Sequence, residues 1–128
     1  MARILVMDDD DIFRPILREM LEFSGLDVEE AANGAIGLQK CKEKRIDLVI
    51  SDVIMPEKEG LEVIRELKRD YPDIKIIAIS GGGHIGPVDY LEMAQKLGAH
   101  ATLMKPFSHQ QLMDAVYELL GSSSEHSS

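Results

Sequence analysis

Four consecutive aspartates, Asp8 to Asp11, follow the short apolar run Ile4 to Met7. Gathering like charges costs free energy. Two carboxylates about 5 Å apart at an effective dielectric of about 20 repel by about 3 kcal/mol. Three other polar groups stand at the ends of apolar runs. Asp52 follows "DLVIS" (47–51), Ser80 closes "IKIIAIS" (74–80), and Lys105 follows "ATLM" (101–104). Asp8, Asp9 and Asp52 would supply three carboxylates, Ser80 a hydroxyl and Lys105 an ammonium. Clustered carboxylates are stable with a cation, and oxygen ligands of this kind suit Mg²⁺ completed by a phosphate-bearing partner. One such carboxylate can attack phosphorus and become an aspartyl phosphate. Lys105 and Ser80 would stabilise charge on the phosphoryl oxygens.

These positions must be brought together by the elements between them. Apolar runs alternate with helical patterns five times along the chain. Residues 12–23 place Ile12, Ile16, Leu17, Met20 and Leu21 on one helical stripe, which Gly25 ends. Pro15 fits if that helix begins near Asp10 or Asp11, one of which caps it. A weaker strand at 27–31 leads through Asn33-Gly34 to a helix ending near Lys44, with Leu38 and Cys41 facing in. Leu61, Ile64 and Leu67 mark a third helix. Leu91, Ala94 and Leu97, closed by Gly98, mark a fourth, and Leu112, Val116, Leu119 and Leu120 a fifth. Strands alternating with helices predict an α/β, doubly wound fold with a parallel sheet and helices on both faces. Parallel strands end at one edge, where ligands bind. The residues that end them are Asp8, Asp9, Asp52, Ser80 and Lys105.

The 128 residues suggest one domain, spanning 1–120. Fourteen Lys and Arg against 23 Asp and Glu give a net charge of −9, which argues against direct binding to nucleic acid. No apolar run approaches the roughly 20 residues that span a bilayer, so no membrane partner is expected. The single cysteine, Cys41, excludes an internal disulfide and suits a reducing cytoplasmic location. The four histidines lack ligand spacing, and the seven methionines read as core filler plus an initiator. The polar tail, 121–128, is expected to be disordered.

"ILVMDDDD", "DLVISDVIMPEKEG", "IIAIS" and "LMKPF" together resemble the receiver domain of bacterial two-component response regulators, over residues 3 to about 120. The resemblance implies a (βα)5 flavodoxin-like fold with strand order 2-1-3-4-5. It makes Asp52 the phosphoacceptor and Asp8 and Asp9 its acidic pair. Mg²⁺ would be held by Asp8, Asp9, Asp52 and the backbone carbonyl of Ile54. Ser80 and Lys105 would be the remaining catalytic groups, with a cis bond between Lys105 and Pro106. The implied function is a stand-alone signalling domain, not a classical enzyme. The phosphoryl donor would be a sensor histidine kinase or a histidine phosphotransfer protein. Output would pass through onward phosphorelay or a protein partner docked on residues 86–120, a surface that could also form a dimer.

Three features depart from the family pattern. Thr102 occupies the position where an aromatic switch residue is usual. Ser80 is followed by Gly81, Gly82 and Gly83, a switch segment expected to be mobile and to order when phosphoryl reaches Ser80. Ile54 also stands where a polar residue is common. Two other function classes are distinguishable. A haloacid-type, Mg²⁺-dependent phosphohydrolase would use Asp8 and Asp10, but leaves "SDVIMP" unexplained. A flavodoxin-like cofactor binder needs a phosphate cradle after strand one, where four aspartates would repel the phosphate.

Overall fold

The computed structural model describes residues 2–53, 59–81 and 87–121. Ile54, Gly82, Gly83 and the tail from 122 onward, all named above, lie outside the described residues. Five strands alternate with five helices: β1 (Arg3–Met7), α1 (Phe13–Phe23), β2 (Asp27–Ala31), α2 (Gly34–Glu43), β3 (Leu48–Asp52), α3 (Glu59–Asp70), β4 (Lys75–Ser80), α4 (Pro87–Leu97), β5 (Ala101–Met104) and α5 (His109–Leu120). The strands form one parallel sheet in the order β2-β1-β3-β4-β5. The chain therefore winds outward from β1 in both directions, and the order reverses beside it.

Strand side chains alternate between two cores. Leu5, Met7, Val49, Ile76 and Ala78 face α2, α3 and α4, where Cys41, Ile64, Leu67 and Ala94 meet them. Ile4, Val6, Leu48, Ile50, Ile77 and Ile79 face α1 and α5, packing on Leu17, Leu21, Leu112 and Val116. β1, β3 and β4 are buried on both faces, which is why they read as unbroken apolar runs.

Helix ends follow local chemistry. The Asp10 carboxylate accepts hydrogen bonds from the backbone N–H groups of Ile12 (2.9 Å) and Phe13 (3.0 Å), and its carbonyl accepts from Arg14 N. Asp10 is thus the cap, while Asp11 pairs with Arg14 at 2.9 Å. Gly25 takes φ +87°, a left-handed conformation that closes α1. Asn33 caps α2 through Ile36 N, and Ser108 and Gln111 form a reciprocal capping box on α5.

The apolar face of α1 differs from the stripe expected from the sequence. Ile12 is 77% exposed and Ile16 50% exposed, while Leu17 and Leu21 are fully buried. Phe13, Leu17, Met20 and Leu21 form the inner face. It is turned about 100°, one residue, from the line through Ile12 and Ile16. Two methionines also depart from the core reading, since Met93 and Met104 are almost half exposed. Cys41 is buried, and burial pushes its thiol up to about 11, so it is an inert packing group.

Candidate functional site

Four strand ends deliver the site. Asp8 follows β1, Asp52 ends β3, Ser80 ends β4 and Lys105 follows β5. The sheet register sets Met7 beside Ser51, Asp52 beside Ile79, and Ser80 beside Met104. The Lys105 N–H donates to the Ser80 carbonyl at 2.8 Å, so the ends of β4 and β5 are tied together. The Lys105–Pro106 peptide bond is cis.

Asp8 is wholly buried and fixed on every side. One carboxylate oxygen accepts the backbone N–H of Asp10 at 2.9 Å, and the other accepts Lys105 Nζ at 3.1 Å. The Asp8 carbonyl accepts Arg14 Nη1 at 2.8 Å, and its own N–H donates to Ala31 O. Asp52 is nearly buried, and Lys105 Nζ lies 3.5 Å from its carboxylate. Asp9 is exposed at the rim. Asp8, Asp9 and Asp52 each place a carboxylate oxygen within 4.8 Å of the other two. Among the described residues, three carboxylates thus face one ammonium. The donors are hard oxygens only, which fits a divalent cation such as Mg²⁺ and does not suit a soft metal.

The four aspartates divide their work. Asp8 and Asp9 belong to the acidic group, Asp10 caps α1, and Asp11 pairs with Arg14. The carboxyl of Asp10 is held below its ordinary range by the N–H groups of Phe13 and Ile12. Ser80 is fully buried, and its hydroxyl donates to the Gly81 carbonyl at 3.2 Å. Thr102 is half-buried on β5, paired with Ala78 on the face that packs against α4.

Phe13 and Gly60 at the site escaped sequence reasoning, and Phe107 was read only as part of "LMKPF". Lys105 Nζ lies 4.0 Å from the centroid of the Phe13 ring. Phe107 meets that ring edge-on, at 5.9 Å and 87°. Gly60, at the start of α3, backs directly on the main chain of Asp52 and Val53. The available signal for Phe13 was its place in the first turn of the helix that follows the aspartates.

A parallel doubly wound sheet with acids, a hydroxyl and an ammonium at its carboxyl edge defines a class of small α/β proteins with an acidic pocket that could hold a metal ion. The response regulator receiver domain family matches residues 4–117, and the chain belongs to that family. It is 34% identical over 118 residues to the chemotaxis protein CheY of Halobacterium salinarum, covering 92% of this chain and 96% of that one. It is 38% identical over 121 residues to the sensor kinase CckA of Brucella abortus, covering 93% of this chain but 12% of that protein. A receiver domain structure from Clostridium thermocellum superposes with a TM-score of 0.87 at 32% identity, over 97% of this chain and 98% of the other. The chain is therefore a receiver domain of the two-component kind, a signalling class. Among the described residues, no helix is long and apolar enough to cross a membrane.

Proposed function

We propose that this chain accepts a phosphoryl group on Asp52 and signals through that modification. The observation that carries the reading is the position of Lys105 Nζ, 3.1 Å from Asp8 and 3.5 Å from Asp52. An ammonium there pairs with the acids at rest and stands ready for a phosphoryl oxygen. In the transfer, an Asp52 carboxylate oxygen forms the new P–O bond. The P–N bond to a histidine of the donor breaks, and that nitrogen keeps the electron pair. Lys105 offsets charge on the phosphoryl oxygens, and the Ser80 hydroxyl turns from Gly81 O to donate to one of them. Asp8, Asp9 and Asp52 would hold Mg²⁺, which supplies Lewis-acid neutralisation of phosphoryl charge when bound.

The donor is a sensor histidine kinase or a histidine phosphotransfer protein, a role consistent with relatives among both CheY proteins and a sensor kinase. The output surface is residues 86–120, where Met93 and Met104 are already exposed. A haloacid-type phosphohydrolase is disfavoured, because the Asp10 carboxylate is engaged by two backbone N–H groups and caps α1.

Intact-mass measurement after incubation with acetyl phosphate tests the reading. One phosphoryl addition is expected in the presence of Mg²⁺, with none in Asp52→Asn and none after chelation. Equal labelling of Asp52→Asn would move the acceptor elsewhere and end the proposal.

A further inference from the structure

We propose that Phe13 is a positioning residue for Lys105, holding the ammonium at the mouth of the acidic pocket while the carboxylates change partners. The inference rests on the phosphoacceptor reading above. At rest Lys105 Nζ contacts Asp8, Asp52 and the face of Phe13. The two acids are the groups that a cation and a phosphoryl would claim. Once they are claimed, the ring remains as a site for the ammonium. A benzene face attracts a cation through its quadrupole but carries no lone pair or charge. It therefore neither competes for the metal nor quenches the charge that a phosphoryl oxygen needs. A third carboxylate at that position would do both.

The ring is itself well placed for the task. Its backbone N–H is fixed by the Asp10 carboxylate at 3.0 Å. The edge-to-face contact with Phe107 sets its tilt. Phe107 lies two residues beyond Lys105, so the segment that carries the lysine also braces the ring that holds it. The Lys105 side chain is 16% exposed, so water screens the contact only partly. A lysine stem is flexible and loses much rotamer freedom on being ordered, and an aromatic rest shared by both states of the pocket lowers that cost at the moment of transfer.

The experiment titrates the Mg²⁺-loaded protein with beryllofluoride, a phosphoryl mimic, and separately measures Mg²⁺ affinity. Phe13→Leu should bind beryllofluoride about tenfold more weakly, the size of one partly desolvated cation–π contact, with Mg²⁺ affinity little changed. Phe13→Tyr should restore wild-type binding. In a Lys105→Gln background, Phe13→Leu should add no further loss. If Phe13→Leu does not fold, Phe13→Met supplies the same comparison. Unaltered binding by Phe13→Leu, or an equal loss in both backgrounds, would overturn the role of the ring alone. Failure of the wild-type chain to bind beryllofluoride at all would overturn the phosphoacceptor reading, and the role with it.

Discussion

Gly60 and Gly81 flank the same pocket, yet they impose opposite requirements. A Cβ on Gly60 would overlap the Asp52 carbonyl oxygen and lie 2.6 Å from Val53 Cα, both rigid backbone. At Gly81 the nearest atom would be Lys105 Cδ at 3.9 Å, an ordinary contact, and its φ is not positive. Alanine is favoured over glycine in a helix by about 1 kcal/mol, so propensity alone says Gly60→Ala stabilises. The close approach says otherwise, and overpacking of this kind costs about 1–3 kcal/mol. Urea unfolding should show Gly60→Ala destabilised, with slower phosphoryl uptake because Asp52 is displaced. Gly81→Ala should be neutral or more stable by about 0.4–1 kcal/mol, through the lost freedom of the unfolded chain. A more stable Gly60→Ala would show that the helix shifts away at little cost. Asp8, Asp52, Ser80 and Lys105 were legible in the sequence because each follows an apolar run, a local pattern. Phe13 and Gly60 were not, because their roles come from contacts between elements that no spacing along the chain reveals.

Elements were legible where burial is two-sided and less so where a helix covers only part of the sheet. β1, β3 and β4 announce themselves as apolar runs, whereas of the stripe expected on α1 Leu17, Met20 and Leu21 face the core but Ile12 and Ile16 do not. Ile12 and Ile16 fit the helical period as well as Phe13 and Leu17 do, and only packing against the sheet decides between them. β5, an edge strand, is held by a feature that residue spacing did not reveal. The Ile76 N–H donates to His100 Nδ1 at 3.0 Å, and the His100 N–H donates to the Ile76 carbonyl at 2.8 Å. An Nδ1 that accepts must be unprotonated. Burial first, then the nearby Lys68 and Lys75, hold the imidazole pKa below its ordinary 6.5. The unfolded chain therefore binds this proton more readily than the folded one. Stability from His100 is full above pH 6.5 and declines as pH falls through that value toward the lower folded pKa. Glu29, held low by Lys44 and Lys40, and Glu30, held low by Arg18 and Arg14, act in a separate window. Their contribution is present above their ordinary 4.5 and is lost below it. Thermal unfolding of the wild type should fall between pH 7.5 and about pH 5.5 more steeply than that of His100→Asn, whose amide oxygen can accept the same hydrogen bond without titrating. Parallel pH profiles for the two proteins would show that the His100–Ile76 hydrogen bond contributes no pH-dependent stability.

The chain as a whole carries −9, and among the described residues a cluster of three carboxylates sits at the carboxyl edge of its sheet, paired with the Lys105 ammonium. A pocket built this way trades stability for function, since repulsion among Asp8, Asp9 and Asp52 opposes folding when no cation is bound. Asp9 is the member that can be tested most cleanly, because it is exposed at the rim and its loss leaves no buried group unpaired. Without Mg²⁺, Asp9→Asn should therefore match or slightly exceed the wild type in stability. With Mg²⁺ the order should reverse. An ion that binds the folded pocket and not the unfolded chain adds about 2.7 kcal/mol at a concentration a hundredfold above its dissociation constant. For a domain of this size that raises Tm by about 10 °C. Melting curves with Mg²⁺ and with chelator, taken on both proteins, should show that rise in the wild type and most of it lost in Asp9→Asn. An equal rise in the two would place the ion away from the carboxylates after β1 and β3. The same repulsion that costs the empty protein stability would then have no chemical use at this edge.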